Sequence, residues 1–482
     1  MKYIGTRGGE KVSGAKAIMQ GLSENGGLFV PEKFPCVSEK EFAEMLDMSY
    51  AERAAKIIGK LLDEFNEKEL LSVCEEKYAS DPAPLVRLDD GVYILELFHG
   101  PTCSFKDIAI SLLPYMFKKA GALCGNDKEM LVLASSADAG KAALEAFKDL
   151  DGFKVAAIYP HDGISKMQKL HISTQEGKNV SVIALKGGHD DCLRAVKEIL
   201  ADDTLGVAPL SADSLNVAVI AAQVAYFFSA YADLVSSEQI AQGEEIDFTL
   251  PVGSFGNAIS AYYAKKMGLP LRRIHCASNL NKTIIDFFKT GVYDVNRELY
   301  KTTAPSMDMI DAVGLERLIF EVSGRNYKLT AKRMAELKEG GRYSVTDEEK
   351  SRIAEIFDGG FAGEEDSVEA MYDVFIDTGY TMDTHTGCAM KVAVDWFEKN
   401  KKDETKMVIT ATANPYKFPQ DVLYAVTGND VKDSFKGVKR LHAATAMAVP
   451  KCLKELRDKI PRFTKTVDRK KLNEEISNFI KQ

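Results

Sequence analysis

The chain has 482 residues, 45% of them hydrophobic and 28% charged, with a net charge of -9. That composition excludes a largely disordered protein and, at about 150 residues per domain, predicts two or three folded units. The acidic balance argues against a general binder of nucleic acid or of anionic membranes.

The cysteines (Cys36, Cys74, Cys103, Cys124, Cys192, Cys276, Cys388 and Cys452) are scattered, with no Cys-x-x-Cys pair. Neither a metal site nor a disulfide framework is expected, and reduced thiols in a cytoplasmic protein are. Met1 to Glu10 carries charges and glycines where a secretory leader would carry an apolar core. Val217 to Leu234 is apolar apart from Gln223, Ser229 and Asp233, close to the ~20 residues of a membrane span. Its central glutamine and its Ala/Tyr content predict a buried core helix instead.

In chain order, residues 1–90 read as a helical region behind an irregular lead-in. Ser38-Glu39-Lys40-Glu41 forms a capping-box pattern ahead of Phe42, Met45 and Leu46. Pro82 and Pro84 break that pattern, and β-rich runs then alternate with helical stretches. Strands are predicted at 92–98, 130–134, 154–159, 180–185, 246–250, 273–277 and 407–410, with helices at 141–148, 190–200 and 257–267 between them. This alternation predicts an α/β protein with parallel sheets flanked by helices. The expected division is an N-terminal region 1–90, a first α/β domain 91–240 and a second 241–482. A charged helical insertion at about 291–375 interrupts the second, and Leu472, Ile476 and Phe479 mark a docking helix at the C-terminus.

Ligands of open α/β sheets sit beyond the carboxyl ends of the strands, so three loops matter. The first, His99-Gly100-Pro101-Thr102-Cys103-Ser104-Phe105-Lys106-Asp107, turns at Gly100-Pro101 and starts a helix near Phe105, with Thr102 or Ser104 as its cap. Lys106 then lies in a helical first turn, where the positive end of the dipole lowers its pKa, while Asp107 works the other way. A lysine with a lowered pKa is suited to imine chemistry with an aldehyde. The second loop, Val252-Gly253-Ser254-Phe255-Gly256-Asn257, opens a helix with two glycines, as a phosphate cradle does; a tight turn needing positive φ explains the glycines equally well. In the third, Ser135-Ser136-Ala137-Asp138-Ala139-Gly140, hydroxyls and N–H groups at a helix start suit a carboxylate. Together the loops describe a small anionic ligand beside one activated lysine.

These residues resemble the threonine synthase family of pyridoxal-phosphate (PLP) enzymes. Leu95-Glu96-Leu97-Phe98-His99-Gly100-Pro101-Thr102 with Phe105-Lys106-Asp107 carries the likeness most strongly, and Ser23 to Pro31, Tyr159 to Gln168, Ala264 to Pro270, Pro305 to Asp308 and Thr412 to Phe418 extend it. The resemblance implies two open, mostly parallel sheets with a PLP cleft between them. It implies that Lys106 is catalytic and holds PLP covalently, that Gly253, Ser254, Phe255, Gly256 and Asn257 cradle its phosphate, and that Thr412 meets its pyridine nitrogen. Ser135, Ser136 and Asp138 fall in the family's substrate-carboxylate loop, Ser214 and Asn216 in its Asn-Ser-Ile-Asn segment, and Lys417 near the substrate phosphate. The implied reaction converts O-phosphohomoserine and water to threonine and phosphate. The implied partner is a small amino-acid substrate, with no nucleic acid or membrane, in a monomer or homodimer.

The departures fall mainly at the substrate end. Ala137 and Ala139 replace a glycine and a threonine, Asp213 replaces an amide, Asn414 replaces a histidine, and Val219 stands where the family has an arginine for substrate phosphate. Losing one partner of a buried charged contact costs about 2–5 kcal/mol, against about 0.5–1.5 kcal/mol for a neutral hydroxyl. Alternatives are therefore a similar lyase with another amino-acid substrate, or a catalytically weak PLP-binding paralogue. His385 is expected to cap a helix; His99 is expected to serve either turn packing or ligand contact.

Overall fold

Three short strands, β1 (Lys2–Gly5), β2 (Val12–Ser13) and β3 (Phe29–Pro31), pair antiparallel in the order β2-β1-β3. In the computed structural model, which describes residues 1–482, they replace the irregular lead-in expected from the sequence. At two to four residues each they are too short to register an alternating pattern. Helices Glu39–Met45, Tyr50–Leu61 and Glu67–Lys77 follow, and the capping box at Ser38 and Glu41 forms as expected.

Strands β4 (Leu85–Asp89) and β5 (Val92–Glu96) make an antiparallel hairpin. Next come β6 (Met130–Ala134), β7 (Phe153–Pro160), β8 (Val180–Leu185), β9 (Ala208–Ser211), β10 (Ile246–Pro251) and β11 (Leu271–Ser278). A small antiparallel ribbon joins β12 (Val292–Asp294) to β13 (Arg342–Ser344). The last three are β14 (Phe357–Phe361), β15 (Met407–Ala411) and β16 (Thr466–Val467). One sheet has the order β14-β11-β10-β15-β5-β4 and is parallel except at β4; the other, β16-β8-β7-β6-β9, is parallel throughout. The α/β class with parallel, helix-flanked sheets is as expected.

The sheets do not divide at the expected boundary near residue 240. The strand β5, expected in the unit 91–240, pairs in register with β15, Tyr93 opposite Val408, and so belongs to the sheet of the second unit. The strand β16 crosses the other way and pairs with β8. Parallel pairing is a long-range choice, which a local pattern cannot encode. The region 291–375 is likewise more than a helical insertion, because β14 forms an edge of the six-stranded sheet beside β11. Its Gly359-Gly360 pair hides the strand from propensity, yet a Cβ on Gly359 would lie 2.3 Å from the Cys276 carbonyl oxygen.

The helix Val217–Ser236 meets the length and apolarity of a membrane span, but 94% of its most apolar window is buried inside the fold. It packs on the helices Tyr50–Leu61 and Gly256–Lys266, at the centre of the largest apolar cluster. Leu472, Ile476 and Phe479 of the helix Arg469–Ile480 are buried against the five-stranded sheet, as their stripe predicts.

Candidate active site

The carboxyl ends of β5, β10 and β15 from one sheet and of β6 and β9 from the other converge on a single pocket. Lys106, Ser135, Ser136, Ala137, Asp138, Asp213, Ser214, residues 251–258 and Thr412 all line it.

Lys106 is the first residue of the helix Lys106–Ile110, and its N–H donates to the Ser104 hydroxyl at 3.3 Å. Burial lowers the pKa of its amine, partly offset by the carboxylates of Asp213 and Asp138. The expected counterweight, Asp107, is occupied elsewhere. It accepts from the Thr102 N–H at 2.8 Å and the Thr102 hydroxyl at 2.6 Å, so Thr102 closes the turn and does not cap the helix. Gly100 is required here by close approach, since a Cβ would meet the Asp107 Cβ at 2.3 Å. The loop is fixed from the other side as well: the Phe105 N–H donates to the Thr412 carbonyl at 2.9 Å and the Asn414 N–H to the Cys103 carbonyl at 3.1 Å.

In the second loop the left-handed residue is Phe255, with φ of 68°, and neither flanking glycine has positive φ. The glycines answer to space: a Cβ on Gly256 would lie 2.6 Å from the Ser214 Cβ, and one on Gly253 3.1 Å from the Ser306 carbonyl oxygen. Gly314 presses on the loop from behind, donating its N–H to the Ser254 carbonyl at 2.9 Å, with no room for a Cβ, which would sit 2.6 Å from that oxygen. The N–H groups of Ser254, Phe255, Gly256, Asn257 and Ala258 find no acceptor in the protein. The Asn257 Nδ2 is buried without a partner, while its Oδ1 accepts from the buried Tyr226 hydroxyl. Such a row of donors at a helix start suits an anion.

Around the third loop, Asp138 is the hub. Lys417 pairs with it, Gln168 donates to both its oxygens at 3.1 Å, and the Ser306 hydroxyl donates at 3.2 Å. Burial opposes its charge but the Lys417 ammonium outweighs burial, holding the carboxyl down to about 2. The Ser306 N–H donates to the His385 Nε2 at 3.1 Å, so the ring proton sits on Nδ1 and points at Asp383, 2.8 Å away. Ser136 caps the helix Ala137–Ala146, and Ala137 has ordinary negative φ, so the strain that a positive φ would impose there is absent. Asp213 accepts from the Ser135 N–H at 3.0 Å; burial raises its pKa, against the pull of Lys106.

Several expected positions lie elsewhere. Asn216 caps the helix Val217–Ser236 and donates to the Ile18 carbonyl at 3.0 Å, away from the pocket. Lys417 is 1% exposed at its side chain and is bound to Asp138, so it presents no free ammonium. Val219 lies in the apolar core, 1% exposed. His99 pairs with Glu96 at the surface, and the cap expected of His385 is supplied by Asp383, which leaves the His385 ring in the pocket wall. Sequence reasoning missed Gln168, His189, Ser306 and Met307 as lining residues. His189 follows β8 through Gly187-Gly188, so the loop rule applied to that strand also would have found it.

Three family profiles match in succession: "Threonine synthase N terminus" over residues 2–78, "Pyridoxal-phosphate dependent enzyme" over 78–413, and "Threonine synthase, C-terminal" over 386–480. The chain is similar to a threonine synthase of Pseudomonas aeruginosa, 32% identical with 89% of this chain and 91% of that one covered. The chain belongs to the threonine synthase family of PLP-dependent enzymes. A human protein, threonine synthase-like 1, is 31% identical over 87% of this chain and 59% of its own. Among solved structures, PLP-bound threonine synthase from Brucella melitensis superposes with a TM-score of 0.85 at 29% identity, covering all of both chains. The yeast enzyme gives 0.85 at 26% identity, covering 100% of this chain and 99% of its own. The donor set of this pocket fits the family's cofactor: a buried amine for an aldehyde, and five backbone N–H groups with the orphaned Asn257 amide for a phosphate.

Proposed function

We propose that the chain is a threonine synthase, releasing phosphate from O-phosphohomoserine and adding water to yield L-threonine. The observation that carries this reading is the placement of Lys106 in one pocket with the unpaired donors of residues 254–258. PLP bound there supplies an electron sink for negative charge at the substrate's Cα and Cβ. Gly253, Ser254, Phe255, Gly256 and Asn257 would hold the cofactor phosphate, and Thr412 would offer its hydroxyl to the cofactor ring.

Lys106 would anchor the cofactor, and its amine, when free, would move protons at the substrate's Cα and Cβ as base and then acid. Its burial lowers its pKa, which shifts the balance toward the neutral amine that can accept a proton. Ser135 and Ser136, with the first N–H groups of the helix Ala137–Ala146, orient the substrate carboxylate. Asp138 and Ser214 complete that wall; Asn216 and Lys417 act one step back, the first by setting the start of a helix and the second by holding Asp138. These donors are oriented before substrate arrives, which makes them more effective than water for developing charge. We assign the protein to the cytoplasm, as a monomer or homodimer with no nucleic-acid or membrane partner. Incubation with O-phosphohomoserine, assayed for phosphate and threonine together, tests the reading: equal yields support it, and phosphate without threonine overturns it.

A second reading, a related lyase whose amino-acid substrate lacks a distal phosphate, draws on Val219 and on the neutralised Lys417. Turnover of an uncharged γ-substituted amino acid in preference to O-phosphohomoserine distinguishes it.

A further inference from the structure

One buried polar side chain in the pocket wall leaves a ring nitrogen without a close partner. His189 opens the helix His189–Leu200, is 7% exposed, and its Nε2 has no partner. An imidazole nitrogen in that state costs free energy until a ligand or water meets it. Burial pushes its pKa down to about 4, despite the opposing pull of Asp138, so the ring is neutral near pH 7.

Its place is set by its neighbours. The charges that act on it are those of Asp138 and His385, and the Pro305 and Gly163 carbonyls draw weakly on the ring, yet neither closes a full hydrogen bond with Nε2. It therefore belongs to the Asp138–Ser306–His385 end of the pocket. The other orphaned side-chain group of the pocket wall, the Asn257 Nδ2, belongs to the row of anion-binding N–H groups. His189 also borders an adjoining cavity lined by Asp162, Lys301 and Asp308, so the wall it forms is where a ligand's far end would lie. At that end the Lys417 ammonium is already paired with Asp138. A neutral ring with one free nitrogen is then the buried side chain left to meet a distal group, beside the exposed Lys301 of the adjoining cavity.

We propose that His189 is a specificity-determining contact, whose Nε2–H donates to the oxygen-bearing γ-substituent of the amino-acid substrate. This rests on the functional reading above only in taking the ligand to be a γ-substituted amino acid. The site then selects by a hydrogen bond from an uncharged donor, a contact that a phosphate ester and a carboxylate ester of homoserine can both accept.

The test uses the holoenzyme and the visible absorbance of its cofactor. Wild type, His189→Phe and His189→Gln are titrated with O-phospho-L-homoserine, O-acetyl-L-homoserine and L-2-aminobutyrate, which has no γ-substituent. His189→Phe should raise the apparent Kd of at least one γ-substituted ligand about tenfold and leave that of L-2-aminobutyrate unchanged, with His189→Gln between. If the Phe variant loses its cofactor, the Gln variant carries the same comparison. Equal weakening of all three ligands, no weakening of any, or a wild type blind to both γ-substituted ligands overturns the proposal. His189-dependent binding of the acetyl ester without turnover of O-phosphohomoserine upholds His189 and overturns the threonine synthase reading; turnover that ignores His189 does the reverse.

Discussion

Lys417 and Asp138, 279 residues apart in sequence, form a buried ion pair beside the candidate active-site pocket, with Asp138 in its wall. Removing one partner of such a pair strands the other charge and costs about 3–5 kcal/mol. Asp138→Asn and Lys417→Met should each lower the urea midpoint accordingly. The double variant should cost less than the sum, because no lone charge is left behind. Additive losses in a double-mutant cycle would show that the pair does not act as a unit.

The same pair makes a pH prediction. The Asp138 carboxyl sits at about 2, below its ordinary value of 3.8, so its contribution is complete above pH 4 and fades as pH falls through about 2. Lys417 is raised above 10.5, so its contribution fades only as pH climbs beyond that value. The stability difference between wild type and Asp138→Asn should be flat from about pH 5 to 7, begin to shrink below about 4, and shrink again on the alkaline side as the unpaired Lys417 of the variant loses its proton. A difference that shrinks between pH 5 and 7 would contradict the assignment.

Gly314→Ala tests the support behind the phosphate loop. With φ of -66° the backbone tolerates alanine, so the penalty is steric and falls on the Ser254 carbonyl. The loop must shift, and PLP affinity, measured by equilibrium dialysis, should drop at least about tenfold, as small misplacements of binding groups do. The overall circular dichroism should stay native.

Tyr226→Phe removes the hydroxyl that fixes the Asn257 amide. Loss of one neutral buried hydrogen bond costs about 1 kcal/mol, so cofactor affinity should fall roughly fivefold. An unchanged PLP titration would mean that Asn257 is oriented by other contacts.

Lys106 should carry the cofactor covalently. Purified protein should absorb in the visible, borohydride should fix the label to the peptide containing Lys106, and Lys106→Ala should abolish the labelling. A labelled peptide elsewhere in the chain would displace Lys106 from its assigned role.

Much of this was legible in one sequence because it is local. The strand 130–134 is bounded by the same residues in structure and in pattern, since a fully apolar run between polar flanks has few other fates. The loops that follow β5, β6 and β10 could be singled out because ligands gather at strand ends. The lining roles of Ser306 and His385 were hidden, because each reaches the pocket from a loop or helix distant in sequence and meets the other only after folding.

The order of the chemistry-bearing residues along the chain thus determined the α/β class and the family, and singled out Lys106 as the candidate lysine. Tertiary structure alone decided that β5 joins β15, that Lys417 is held by Asp138, that Val219 faces core and that His189 lines the pocket. Residue type and short spacing are written in the sequence, whereas pairing, burial and the state of a charge depend on groups that only long-range packing brings within a few ångströms.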